Sequence, residues 1–196
     1  MVTDFVDDYF EKTSIISKKL NKEIIEDIVD GLYFTRENKG RVFILGVGGS
    51  AGNASHAVND FRKLSGIEAY APTDNVSELT ARTNDEGWET IFSEWLKISN
   101  LSDKDSLFIF SVGGGSVEKN VSMNLVHAID LAKSKNSKVF AIVGKNNGYA
   151  ANKADTCLLV PLVDEKLVTP LTEAFHAVIW HCLVSHPKLQ ICDTKW

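Results

Sequence analysis

The chain has 196 residues, 44% of them apolar and 24% charged, the make-up of an ordinary globular domain long enough to bury its own core. Its 21 Lys and Arg against 26 Asp and Glu give a net charge of −5, so no basic field invites nucleic acid. Three cysteines, Cys157, Cys182 and Cys192, with no CxxC pair, argue against a disulfide framework and a cysteine zinc site.

The start, Met1-Val2-Thr3-Asp4, is acidic and lacks the apolar stretch of a signal peptide. No apolar run reaches the length that spans a membrane, and the expected location is the cytoplasm. Over residues 4–35 apolar side chains from Phe5 and Tyr9 to Leu32 and Tyr33 recur mostly at three and four, which predicts amphipathic helix in more than one piece. So long a stripe ahead of the first strand marks a candidate subunit interface; the alternative is a helix folded back on its own core.

From residue 41 the pattern changes. Arg41-Val42-Phe43-Ile44-Leu45 reads as a buried strand breaking into Gly46-Val47-Gly48-Gly49-Ser50, with a helix over about 51–64. A strand at 106–110 runs into Ser111-Val112-Gly113-Gly114-Gly115-Ser116, and a long helix follows directly to about 134. Further strands are expected at 138–143 and 156–161, and a last helix over about 169–185, with Thr169 as N-cap, Pro170 at its first position and a loop beyond Pro187. Strands alternating with helices predict an α/β three-layer sandwich with a mostly parallel sheet. The expected organisation is one domain over 1–196, with N-terminal helices at about 4–35 and the α/β core at about 41–186.

The two glycine turns carry the first chemistry. Glycine lets the backbone adopt φ > 0 and bring amide N–H groups close to a ligand, and the helix start that follows adds unpaired donors and a positive dipole end. An anion is held this way without Lys or Arg. Gly48, Gly49 and Ser50 in the first turn, and Ser111, Gly113, Gly114, Gly115 and Ser116 in the second, form the candidate phosphate cradle. The first turn is neither a dinucleotide fingerprint nor a P-loop, since Gly-Lys-Ser/Thr is missing. One such turn is often only structural; two ending in serine argue for a ligand.

The second chemistry is an ionisable set. His56 and Asp60 are four residues apart and share a helix face; Glu173 and His181 are eight apart and share another, with His176 turned away from His181 by about 140°. Two imidazoles and two carboxylates can bind Zn²⁺ or supply the acid and base of a proton transfer. The alternative is a surface His/Asp pair and a packed histidine. His127 and His186 read as structural or solvated, and Cys182 as core.

These residues resemble a known family. Gly46-Val47-Gly48-Gly49-Ser50-Ala51 followed by His56-x-x-x-Asp60 is similar to the start of a sugar isomerase (SIS) domain, more narrowly to the phosphoheptose isomerases. So are Thr73-Asp74-Asn75-Val76-Ser77-Glu78-Leu79-Thr80-Ala81, then Asn84-Asp85-x-Gly87-x-Glu89-x-x-Phe92, and Glu173-x-x-His176-x-x-x-x-His181. The resemblance runs in order from about Val42 to His181.

It implies a flavodoxin-like SIS fold, a homotetramer with active sites at subunit contacts, and a phosphorylated sugar as partner, with neither nucleic acid nor membrane. The implied reaction is aldose–ketose isomerisation of sedoheptulose 7-phosphate to D-glycero-D-manno-heptose 7-phosphate. Ser50, Ser111 and Ser116 would help hold phosphate with the amides of Gly113, Gly114 and Gly115, while Asn84 and Asp85 would touch the sugar. His56, Asp60, Glu173 and His181 fall on the family's zinc ligands, with Asp60 where the family has a glutamate base and His181 on its general acid. The departures are Val47 for asparagine, Val112-Gly113 for hydroxyl residues, Asp60 for glutamate, Glu173 for glutamine, and Pro170 where an aspartate is frequent. They suit a divergent member. The alternatives are a non-catalytic sugar-phosphate-binding regulator and a replication-initiator-associating interaction protein; retention of all four ionisable positions favours the enzyme.

Overall fold

The structure is a computed structural model and describes residues 2–193. The expected N-terminal stripe divides into α1 (Val2–Lys19) and α2 (Lys22–Glu37), parted at Asn21, whose side chain accepts the N–H groups of Glu23 and Ile24 and caps the second helix. The later part of the stripe folds back on the chain's own core. Ile16, Ile28, Val29 and Leu32 are buried against the sheet, while Phe5, Val6 and Phe10 are exposed on the first half of α1.

The remaining elements are β1 (Arg41–Leu45), α3 (Gly49–Ser65), β2 (Glu68–Tyr70), α4 (Val76–Asp85), α5 (Ile91–Ile98), β3 (Ser106–Ser111), α6 (Met123–Ser134), β4 (Lys138–Val143), α7 (Tyr149–Lys153), β5 (Thr156–Leu159) and α8 (Val168–Val184). Five parallel strands lie in the order β2-β1-β3-β4-β5. Both faces of the central strands are covered, which is why they read as unbroken apolar runs. Val42, Ile44, Phe108, Phe110 and Ile142 face α2, α3 and α8; Phe43, Leu45, Leu107, Ile109 and Val143 face α5, α6 and α7. The strand order reverses between β1 and β3, so the loops leaving these two strands lie side by side at the carboxyl end of the sheet, where ligands bind in such folds.

Several sequence expectations change, among them the last strand, which ends at Leu159 and not at 161. The helix after the second glycine turn begins at Met123, well after Ser116. The last helix begins at Val168 behind a 3₁₀ turn, Glu165–Leu167; Leu167 stands at the N-cap, and Pro170 falls inside the first turn, where its missing N–H costs nothing. Cys182 is exposed on α8, not core. The segment Glu165–Val184 is also long and apolar enough by composition to cross a membrane, contrary to the sequence expectation. Its Leu171, Phe175, Ile179, Trp180 and Leu183 are instead buried in the fold.

The amino ends of β1 and β3 are tied by one buried carboxylate. Asp105 accepts the Arg41 backbone N–H at 2.9 Å, Arg41 Nε at 3.0 Å and Nη2 at 2.8 Å, and the Ser102 N–H at 2.8 Å. Burial by itself would raise the Asp105 carboxyl; the guanidinium and the two N–H donors outweigh it and hold it below the usual carboxylate value. Removing one partner of a buried pair strands the other, so Asp105→Asn is expected to destabilise the fold by about 3 kcal/mol, read from the urea midpoint at unchanged m-value.

Candidate active site

The first glycine turn follows from steric limits. A Cβ on Gly46 would lie 2.4 Å from the Ser50 carbonyl carbon, and Gly48 has φ +62. Gly48 caps α3 with no side-chain hydrogen bond, and its carbonyl takes the N–H groups of Ala51 and Gly52. The N–H groups of Gly49 and Ser50 ahead of them have no backbone partner among the described residues.

Ser50 itself is buried, with its hydroxyl 3.5 Å from Nδ1 of His176. It therefore looks inward, where the sequence reading had it adding a bond to phosphate. His176 is fully buried, stacks on Phe110 with ring centroids 5.3 Å apart, and donates from Nε2 to the Ile142 carbonyl at 3.1 Å. Burial pushes its imidazole down to about 4, against a weaker upward pull from the Ile142 carbonyl, so it is neutral and Nδ1 is an acceptor for the Ser50 hydroxyl.

The second turn is braced from behind. The Ser111 hydroxyl accepts the Gly114 N–H at 3.0 Å, and the carbonyls of Gly114 and Gly115 accept the N–H groups of Ala150 and Tyr149, both at 2.8 Å. Gly114 and Gly115 have φ +73 and +81, and a Cβ on Gly148 would sit 2.0 Å from the Gly113 carbonyl oxygen. Ser116 then pairs with Val121 in a short antiparallel hairpin, through N–H to O distances of 2.9 and 3.0 Å, and its hydroxyl accepts the Lys119 N–H. Ser116 thus closes a hairpin. The residue that precedes α6 is Ser122, with φ +50, which the sequence reading missed; the only signal was the absence of helical apolar spacing before Leu125.

α3 and α8 lie against each other and bring three of the predicted residues together. One ligand atom each from His56, Asp60 and His181 lie within 4.8 Å of one another. Nε2 of His56 and Nε2 of His181 are both 3.9 Å from Asp60 Oδ2, while Asp60 Oδ1 accepts Asn59 Nδ2 at 2.7 Å. Asp60 is buried and both histidines are exposed. His181 Nδ1 bonds to the Ala177 carbonyl at 2.8 Å, which makes Nδ1 the protonated nitrogen and leaves the Nε2 lone pair free.

Glu173 is not part of this group. It sits two turns earlier on α8, and its Oε2 lies 2.5 Å from where a Cβ on Gly49 would be, at the start of α3. Asn84 and Asp85 are exposed at the end of α4 and bonded to each other at 2.7 Å; α4 has no buried residue. A cleft of about 670 Å³ lined by Arg62, Tyr70, Val76, Trp95 and Ile98 includes none of the predicted site residues. The His56, Asp60 and His181 group lies on an open face, not in that cleft.

Residues 5–144 match the SIS domain family. The lincomycin biosynthesis protein LmbN of Streptomyces lincolnensis is 35% identical over 162 residues, covering 79% of this chain and 58% of that protein. This chain therefore spans little more than half of that relative. The phosphoheptose isomerase of Helicobacter pylori (strain P12) is 29% identical over 190 residues, covering 91% of this chain and 93% of that one. Among solved structures, a phosphoheptose isomerase from Francisella tularensis is 26% identical with a TM-score of 0.79, covering 94% of this chain and 96% of that one.

Proposed function

We propose that this chain, which belongs to the SIS-domain family, is an aldose–ketose isomerase of a phosphorylated sugar, converting sedoheptulose 7-phosphate to D-glycero-D-manno-heptose 7-phosphate. The observation that carries the reading is the group of His56 and Asp60, on the helix that starts at the first glycine turn, with His181 of α8.

The Glu173 carboxylate at the start of α3 repels a phosphate dianion there. In this reading the phosphate is therefore held at the second turn, by the backbone of Gly113–Gly115 and the N-terminus of α6, and the carbonyl end of the open chain lies toward α3. Asp60 takes the proton from C1 of the ketose and returns it at C2, while His181 moves the hydroxyl proton from O1 to O2 through Nε2 at the stage when that atom is not a metal ligand. The same two residues work in both directions, so no net proton is gained or lost.

The donor set fits zinc: two imidazole nitrogens and a carboxylate oxygen stand close together, and one imidazole is oriented by a backbone carbonyl. His56, Asp60 and His181 would hold the ion, with Glu173 reaching it only after its side chain leaves Gly49. When bound, the ion polarises the substrate carbonyl and stabilises negative charge on its oxygens. Asp60 has its Oδ2 facing the two histidines and its Oδ1 bonded to Asn59, and in this reading Oδ1 is the oxygen that serves as base.

In this reading the protein is a homotetramer in which neighbouring subunits complete each site, and Phe5 and Phe10 on α1 and Asn84 and Asp85 on the unburied α4 are exposed for such contacts. The proposed setting is the cytoplasm.

The test is metal content and turnover of sedoheptulose 7-phosphate on one purified sample. The expected result is about one zinc per subunit, with turnover lost on chelation and restored by zinc. A metal-free protein that binds sugar phosphates without converting them would overturn the reading in favour of a regulator.

A further inference from the structure

Two exposed imidazoles on separate helices normally sample several rotamers each, which blurs a ligand set. Here both rings rest on one buried indole. Trp180 is fully buried; its ring stacks on His181 with centroids 3.5 Å apart at 28°, and meets His56 edge-on at 4.7 Å and 62°. The two imidazoles stand 5.5 Å apart and nearly perpendicular.

The indole is itself pinned. Its Nε1–H donates to Asn53 Oδ1 at 3.2 Å, and Asn53 Nδ2 donates to the carbonyls of Gly49 at 3.2 Å and Glu173 at 3.1 Å. One amide therefore fixes the start of α3, the first turns of α8 and the plane of the ring between the histidines. His181 has a second anchor in the Ala177 carbonyl. His56 makes no ring hydrogen bond among the described residues, so the indole edge is the contact that aims it. Adjacent residues on a helix do not ordinarily face each other, and a smaller side chain at position 180 would not reach under both rings.

We propose that Trp180, pinned by Asn53, is a positioning residue that presents the Nε2 atoms of His56 and His181 to a metal beside Asp60. The inference rests on the zinc reading above. Orienting partners outside the ligand set typically change metal affinity about 10–100-fold.

The experiment measures zinc affinity by competition with a chromophoric chelator, and the visible spectrum of the Co²⁺-loaded protein, for wild type, W180F, W180L, N53A and L183A. Leu183 is a buried neighbour on α8 and serves as the control for core damage. W180L is expected to weaken zinc binding about 10–100-fold and alter the Co²⁺ bands, with W180F, which keeps an aromatic face, recovering most of the loss. L183A should lose stability but keep wild-type affinity. N53A keeps the ring but frees it, and should weaken binding by roughly tenfold; it decides the matter if W180L does not fold. Wild-type affinity in N53A or in folded W180L, or an equal loss in L183A, would overturn the inference and leave the zinc reading standing. A wild-type protein that binds neither metal would overturn both.

Discussion

Asp60→Asn is expected to lower kcat by about 10²–10⁴-fold while leaving the affinity for the sugar phosphate within a few-fold of wild type. The substitution keeps the volume and planar shape of the side chain. It removes the charge that faces Nε2 of both His56 and His181, and the basicity required to take a proton from carbon. Phosphate binding, which we propose takes place at the turn after β3, does not depend on that charge. The two effects separate in steady-state kinetics with a direct binding assay, and wash-in of deuterium from D₂O at C1 and C2 reports the proton transfer alone. A variant with full turnover would remove Asp60 from the mechanism. Asp60→Glu adds one methylene and is the companion variant: in a site packed for aspartate, the longer side chain pushes the carboxylate past the two Nε2 atoms, and lower turnover is expected.

The second large effect is on stability, and it has a defined pH window. His176 binds its proton only below about 4 in the folded state, because the neutral imidazole is sealed between Phe110, Ile142 and Ser50. In the unfolded chain it binds near the ordinary value of about 6.5. Between these values the unfolded state holds more protons, so stability rises with pH there. The contribution is fully present above about pH 6.5 and is lost as pH falls through about 4, a change of about 3 kcal/mol. Urea midpoints at pH 6.5, 5.5 and 4.5 should fall accordingly. His176→Gln should be less stable than wild type at neutral pH but should show a flatter dependence across the window. Asp105, Asp155 and Asp164, held below their usual values, lose their contributions at more acidic pH, and the comparison with His176→Gln isolates the histidine. An unchanged wild-type midpoint from pH 6.5 to 4.5 would show that this imidazole is not sealed.

The parts of the chain that were legible are those where composition and geometry coincide. β1 and β4 have the bounds expected from sequence because each is an apolar run stopped by glycine, Gly46 and Gly144. The i, i+4 spacing of His56 and Asp60 places both on one face of α3, and the eight-residue spacing on α8 places Glu173 with His181. Spacing along one helix does not reveal distance across two. Eight residues is about 12 Å of helix rise, and the start of α3 holds the Glu173 carboxylate at Gly49 while His181 meets Asp60 further along.

The turn after β3 misled for a different reason. Glycines followed by serine resemble the start of a helix, yet Val117 to Asn120 have no apolar period, and Asn120 at φ +50 takes the left-handed conformation that ends a tight turn. The pairing of Asn53 with Trp180 was invisible because the two are 127 residues apart in sequence and meet only through the packing of α3 on α8.

The hairpin between Ser116 and Val121 draws a sharp line in how freely this region can vary. Its base is shut by two backbone hydrogen bonds, so Glu118 and Lys119 at its exposed tip can be exchanged, or the tip lengthened, without moving either β3 or α6. One residue upstream the freedom ends, because Gly114 and Gly115 hold positive φ, and Gly148 behind them has no room for a methyl group. Descendants of this chain could therefore diversify the rim of the second glycine turn by drift, while Gly114 and Gly115 themselves accept almost nothing but glycine.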